Sequence, residues 1–110
     1  MENLKNYKNI KHYLEVKQAE KLEKIIAVIL TDLDITNEQL MTKTKFRPVT
    51  EARRRIAYIG RLLLNAQGNL IAKRLELQKE QVSQIIYSTF GICQVEPEYK
   101  DEINSLINKI

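Results

Sequence analysis

The sequence predicts an all-α fold, a compact bundle of about six helices that contains a helix-turn-helix. Apolar residues recur three or four positions apart over most of the 110 residues, the spacing that places them on one face of a helix. No stretch shows the alternation of apolar and polar residues that is typical of a half-buried strand. At this length we expect one domain around one core.

Residues 68–87 carry the pattern from which the helix-turn-helix is inferred. Ile71 and Leu75 are spaced to face inward from a short first helix, and Val82 and Ile85 open a second helix in the same way, with Leu77 in the turn between them. Ala72 is small where the two helices would cross. The polar residues of the turn and second helix are the candidate DNA contacts: Gln78, Lys79, Glu80, Gln81, Ser83, Gln84 and Tyr87.

A plainer interpretation fits the same apolar pattern, namely two short helices that pack against a third. Glu76 stands where such turns often carry glycine, and Glu80 would place an acid near DNA phosphates. These two residues weaken the motif when it is taken alone.

Positive charge is concentrated in residues 41–61. The chain has 18 Lys and Arg against 14 Asp and Glu, a net charge of +4, but this segment alone carries seven cations against one acid, and the rest of the chain is slightly negative. We expect phosphate contacts from six of these seven cations, Lys43, Lys45, Arg47, Arg53, Arg54 and Arg55. The alternative is that the arginines pair with acids elsewhere in the chain.

The first half of the chain is predicted to contain three helices. Residues 2–30 form the first, firm from about residue 16 and frayed before it. Thr36 and Gln39 have the spacing of a capping box that starts a short second helix ending near residue 41. Lys43, Lys45 and Arg47 should lie on an exposed connector before Pro48. The third helix covers about residues 49–65.

The second half is predicted to contain a turn at residues 65–68, with Asn69 as the next N-cap. The second helix of the helix-turn-helix should run to about Phe90 and end at Gly91. Residues 92–97 would be a connector. Residues 98–110 form a last helix with an acidic first turn and an inward stripe that includes Ile103 and Leu106.

No catalytic or metal site is expected, because Cys93 is the lone cysteine and His12 the lone histidine, far apart in the sequence. We therefore predict a protein that is not an enzyme and binds no metal, cofactor or nucleotide. The first residues lack the apolar core of a signal peptide, and no apolar run is long enough to span a membrane. A soluble, cytoplasmic protein is the expectation.

The order of these elements resembles the DNA-binding domain IV of the bacterial replication initiator DnaA, over about residues 22–110. The matching pieces are the short helix ending at Leu40, the basic loop of residues 43–47, Ala52-Arg53 in the long helix with Tyr58 after them, and Ile71, Leu75 and Val82 in the helix-turn-helix. The resemblance implies a TrpR-like helix-turn-helix fold. It also implies that Arg47, with Lys43 and Lys45, reaches the minor groove while the residues just before Val82 read the major groove.

The chain departs from the family at the start of the recognition helix. DnaA proteins carry the signature D-H-T-T-V there, and this chain has Gln78-Lys79-Glu80-Gln81-Val82. The scaffold would carry over while the sequence preference would not. A phosphate loop of the form G-x-x-x-x-G-K-[ST] is also missing, so we expect a stand-alone relative, with a basic helical leader at residues 1–21 before the domain at 22–110.

The predicted function is binding of double-stranded DNA in replication control or transcriptional regulation. The alternative is a protein-protein interaction module that keeps the fold without reading DNA. Such a module would bind the initiator, another replication protein or a second copy of itself through the apolar part of residues 4–30.

Overall fold

The computed structural model describes the backbone of residues 2–64 and 68–110 and the side chains of residues 10–64 and 69–110. These residues form six helices and no strand, which confirms the all-α prediction. The helices are α1 (Glu2–Leu33), α2 (Asn37–Met41), α3 (Arg47–Leu64), α4 (Gly68–Leu75), α5 (Lys79–Val95) and α6 (Pro97–Lys109).

Helix α3 is the centre of the bundle and packs against each of the other five helices. Its inward face combines Ile56 and Ile59 with the small residues Ala52, Ala57 and Gly60, all of them buried. The small residues let neighbouring helices approach closely, because a Cβ added at Gly60 would lie only 3.1 Å from Cδ1 of Ile71 in α4. The predicted third helix is confirmed, beginning two residues earlier than expected.

Helix α1 joins the core through its second half only. Leu22, Ile25, Ile26 and Ile29 are at most 2% exposed and pack on α3, whereas the described apolar residues between positions 10 and 16 remain exposed. The helix is continuous through residues 21 and 22, so the predicted boundary between leader and domain falls inside it. Side chains before Ile10, Leu4 and Tyr7 among them, lie outside the described residues.

Helices α1 and α4 are each followed by a residue in the left-handed conformation, after which the chain changes direction. Asp34 (φ 54°) follows α1 and Glu76 (φ 55°) follows α4. After α4, the amide of Leu77 donates to the carbonyl of Ala72 and the amide of Glu76 to that of Lys73, the two bonds of a Schellman motif. The chain can therefore reverse within three residues before α5 begins.

Two local predictions need correction. Arg47 is the first residue of α3 and not part of the connector, because Pro48 fits the first helical turn. Asn69 lies within α4, which already begins at Gly68. The turn predicted for residues 65–67 lies outside the described residues.

The largest correction concerns the end of α5. Gly91 lies inside the helix, which continues to Val95, so residues 92–95 are not a connector. Thr89 and Cys93 on either side of Gly91 are buried, and this packing holds the helix together across the glycine. The helix ends where Pro97 disfavours helical geometry at Glu96, and the same proline opens α6.

The predicted start of α2 is confirmed. The hydroxyl of Thr36 accepts a hydrogen bond from the amide of Gln39 at 3.1 Å, and Oε1 of Gln39 accepts from the amide of Thr36 at 2.8 Å. In the described part of the chain no helix combines the length and the apolar character needed to cross a membrane.

Candidate nucleic-acid interface

The basic loop is the segment between α2 and α3, residues 42–46, with exposed Lys43 and Lys45. Arg53 of α3 fixes its start, because Nη2 of Arg53 donates to the carbonyl oxygens of Leu40, at 2.9 Å, and Thr42. These carbonyls belong to the end of α2, where no helical amide follows to satisfy them. The loop is thus tied to α3 with its two lysines facing outward.

A second arginine fixes α2 from the opposite direction. Arg74 of α4 donates from Nε to Glu23 of α1 at 2.7 Å and from Nη2 to the side-chain oxygen of Asn37 at 2.6 Å. Arg74 therefore joins α4, α1 and the first residue of α2. The two arginines together set the position of the basic loop relative to the turn between α4 and α5.

Arg54 and Arg55 form ion pairs with acidic side chains, which is the alternative considered in the sequence analysis. Arg55 is only 7% exposed and forms ion pairs with Glu51 at 3.2 Å, Glu102 at 3.0 Å and Asp32 at 3.6 Å. Burial acts to lower the pKa of Arg55, but the hydrogen bond and negative charge of Glu51 outweigh it and raise the pKa. Arg55 thus joins α3, α1 and α6 inside the protein, away from any surface that DNA could contact.

Arg54 differs from Arg55 because its side chain is partly exposed. Nη1 of Arg54 lies 3.1 Å from Oε2 of Glu51, and Arg54 is one of the residues that line a cleft beside α5. Such a half-exposed pair leaves further donors for an incoming anion.

The start of α5 is organised by Gln81. Its Oε1 accepts a hydrogen bond from the backbone amide of Gln78 at 2.8 Å, and Val82 beside it is completely buried. This bond uses the side-chain oxygen of Gln81, so the two hydrogens of its side-chain NH₂ group are the donors that it can offer to a ligand. Leu77 and Ile85 are half-buried against the core, as predicted.

Two adjoining clefts join the basic loop to α5. One, of about 680 Å³, lies between the loop and the turn after α4; the other, of about 350 Å³, lies between the first half of α3 and α5. Arg53, Leu77 and Gln81 line both, so the clefts form one continuous surface. We call this surface the basic face, and its polar members are Lys43, Thr44, Lys45, Thr50, Arg53, Arg54, Glu76, Gln78, Gln81, Gln84 and Ser88.

The basic face brings together six of the predicted site residues: Lys43, Lys45, Arg53, Arg54, Gln78 and Gln81, with Gln84 as a seventh at its far end. Among the described residues that line its two clefts, four are cations and one, Glu76, is an acid. Arg47 is exposed at the start of α3, next to the loop, but lines neither cleft. Four members of the face were not predicted: Thr44, Thr50, Glu76 and Ser88. Thr50 lies three and four positions before Arg53 and Arg54 and so shares their helix face.

The remaining predicted residues of α5 lie elsewhere on the helix. Lys79, Ser83 and Tyr87 line a separate cleft of about 570 Å³ together with Tyr58 and Arg61 of α3. Glu80 is exposed and lines none of these three clefts. The helix therefore presents two differently composed sides, with its exposed ridge between them.

Comparison with known proteins shows a similarity to a replication initiator. The chain is 33% identical over 75 residues to the chromosomal replication initiator protein DnaA of Helicobacter hepaticus, a match that covers 68% of this chain. The matched stretch spans 15% of the length of that initiator. None of the protein-family models matches the chain, and no solved structure does. The chain is thus similar to a part of a replication initiator.

Proposed function

We propose that the chain binds double-stranded DNA through the basic face, with the start of α5 in the major groove and the basic loop on the adjacent minor groove or phosphates. The observation that carries this proposal is the continuity of the face, in which Arg53 and Gln81 connect the loop cations to the polar edge of α5. The similarity to a part of DnaA supports it. As part of the same proposal the protein acts in the cytoplasm, in replication control or transcriptional regulation.

The cations would supply most of the affinity. Lys43, Lys45 and Arg47 are exposed beside one another and can neutralise phosphates, which releases counterions from the duplex. Arg53 was predicted from its charge to contact phosphates, but its guanidinium donates to two backbone carbonyls at the end of α2 and the start of the loop. In this proposal Arg53 orients the loop, and the lysines contact DNA.

The polar side chains at the start of α5 would supply the preference among sequences. Gln84 is exposed, and its side-chain amide suits the paired donor and acceptor of adenine, whereas the side chain of Gln78 takes part in a capping box with Gln81. Gln81 is restricted, since its oxygen already accepts from the Gln78 amide and only N–H donors remain. It therefore favours an acceptor on the base edge, such as O6 or N7 of guanine or O4 of thymine.

The experiment is selection of bound sequences from a random duplex pool, with the chain and three variants. Arg47→Ala should weaken binding to nearly every duplex without changing the selected sequence. Gln84→Ala should change the selected sequence. Lys109→Ala, which removes a cation paired with Asp32 on another face, is the matched control and should change neither. Enrichment of no sequence, together with no retention on DNA in low salt, would refute the proposal.

A second candidate function is favoured by the exposed apolar residues of α1. Ile10, Tyr13 and Leu14 are each more than half exposed and lie on neighbouring turns of the helix. They would suit a protein partner or a second copy of the chain. Complex formation that is indifferent to salt and is lost in Leu14→Ser would support this candidate, whereas DNA retention that collapses with salt supports the first.

A further inference from the structure

The cleft on the opposite side of α5 from the basic face has a different chemistry. Its floor and walls are mainly aromatic and aliphatic, from Tyr58 and Leu62 of α3 and from Ile86, Tyr87 and Phe90 of α5. Its volume is about 570 Å³. Arg61, Lys79 and Ser83 complete the lining.

The apolar walls of this cleft are open to solvent. Tyr87 is 81% exposed, Leu62 53% and Phe90 50%. Large apolar side chains grouped on a surface in this way mark binding sites more often than isolated ones do. Because the walls do not enclose the space, the surface suits the side chains of a macromolecule better than a small molecule that must be buried on all sides.

The charge of the lining restricts the occupant. Among the described residues that line the cleft are two cations, Arg61 and Lys79, and no carboxylate. A DNA duplex offers phosphates to these cations, but its backbone has no apolar group to cover Leu62 and Phe90. A polypeptide segment with aromatic or aliphatic side chains flanked by Asp or Glu matches both features.

We propose that this cleft docks an acidic amphipathic segment of another protein, whose apolar side chains lie between α3 and α5 and whose carboxylates pair with Arg61 and Lys79. A second copy of this chain is a poorer match. The exposed apolar stretch of α1, residues 10–17, carries Lys11 and Lys17 against Glu15 and would bring lysines toward the cations of the cleft.

The location of the cleft gives the docking a consequence for DNA binding. Lys79, Ser83 and Tyr87 line the cleft, across the exposed ridge of α5 from the basic face, and a major groove that admits the helix encloses both sides of that ridge. A partner seated there and a duplex on α5 would exclude each other. This competition rests on the proposed function, whereas the docking does not.

The test is selection of a displayed library of helical peptides against the intact chain in the absence of DNA. The expected winners combine aromatic or leucine anchors with an excess of Asp and Glu. Their affinity should fall about tenfold or more in Phe90→Ser and several-fold in Arg61→Gln. Val95→Ser is the matched control, because Val95 is an exposed apolar residue of the same helix outside this cleft, and it should leave affinity unchanged.

Circular dichroism of each variant separates loss of docking from loss of folding, and Tyr87→Ser replaces Phe90→Ser where the latter unfolds. Winners that are neutral or basic, or whose affinity is the same in all cleft variants, would overturn the proposal. Self-association of the chain that Phe90→Ser abolishes would also overturn it. If a winning peptide displaces DNA, the competition holds; if it binds the cleft and the chain binds no DNA, the docking stands and the proposed function fails.

Discussion

Glu76 holds the turn between α4 and α5 in a conformation that glycine adopts more easily. Its φ of 55° lies in the left-handed region, which costs a residue with a Cβ about 1 kcal/mol or more. Glu76 is also the acid among the described residues that line the basic face. Its side chain therefore opposes both the local backbone and the proposed ligand.

Replacement of Glu76 by glycine should increase the free energy of unfolding by about 1 kcal/mol, because the left-handed strain is removed. DNA affinity at low salt should rise as well, since one negative charge leaves the basic face. Urea denaturation and DNA titration measure the two effects. Asp34→Gly is the matched control: Asp34 has the same φ but lies after α1, outside the two clefts, so it should gain stability without gaining affinity. Equal affinity changes in both variants would contradict this account.

Tyr99 of α6 is a half-buried partner of the ion-pair cluster around Arg55. Its hydroxyl donates to Oε1 of Glu51, and its ring lies 5.5 Å from the Arg55 guanidinium. Burial, followed by the hydrogen bond to Glu51 and the charge of that carboxylate, raises the pKa of Tyr99. The folded protein therefore retains the phenol proton more strongly than the unfolded chain does.

This difference predicts a loss of stability at high pH. Below the unfolded tyrosine pKa of about 10 the contribution is complete, and above it the unfolded chain ionises first, so stability falls as pH rises. Tyr99→Phe should show a smaller fall than the unmodified chain between about pH 8 and about pH 11. The pKa of Tyr58 is also raised, by burial and by Cys93, so the stability of Tyr99→Phe should still fall somewhat as pH rises. Identical pH profiles for the chain and Tyr99→Phe would show that folding does not raise the pKa of Tyr99.

At the scale of the helices, two glycines have opposite surroundings. Nothing lies within 4 Å of a Cβ built at Gly91, whereas one built at Gly60 would meet Ile71 at 3.1 Å and Leu22 at 3.4 Å. Gly91→Ala should therefore increase the free energy of unfolding by about 0.5–1 kcal/mol, the gain in helix propensity. In Gly60→Ala, overpacking costs about 1–3 kcal/mol and cancels or exceeds that gain. Thermal or urea denaturation of both variants checks the pair, and equal gains would contradict the packing described for α3.

The sequence predicted well the features that depend on a local pattern of residues. The start of α2 follows from Thr36 and Gln39 alone, and α6 from its apolar spacing. The end of α5 was missed because Gly91 is a local stop signal that burial of Thr89 and Cys93 overrides. Burial is a property of the assembled bundle, and no local pattern contains it.

The arginines of the candidate site likewise show that a sequence pattern does not reveal how side chains pack. The sequence located a cationic segment, but Arg53, Arg54 and Arg55 are consecutive residues on a helix and must point in different directions. Only the packed structure separates them, with Arg53 on the loop carbonyls, Arg54 at the cleft and Arg55 among three acids. A count of charges therefore does not tell which of these arginines are exposed and which are paired with acids.

At the scale of the whole molecule, the proposed binding surface comes from the loop after α2, the first half of α3 and the start of α5. Arg53 joins α3 to the end of α2 and the loop, and Arg74 joins α4 to the first residue of α2. The proposal expects a steep salt dependence. Each cation in the basic loop or at the start of α3 that contacts a phosphate should contribute about 0.9 to the slope of log affinity against log salt. Alanine at Lys43, Lys45 or Arg47 should each lower the slope by about that amount. Lys109→Ala should leave the slope unchanged, and a fall of the same size in that variant would mean that only net charge matters.

The continuity of the basic face is the claim on which the DNA-binding proposal depends, and a titration of the ¹⁵N-labelled chain with a short duplex at low ionic strength tests it most directly. The account predicts that amide shifts cluster in the basic loop, at the start of α3 and from Gln78 to Ser88, with α6 and the buried Arg55 region unaffected. Shifts confined to α1 or α6, or no shifts at any duplex concentration, would contradict it.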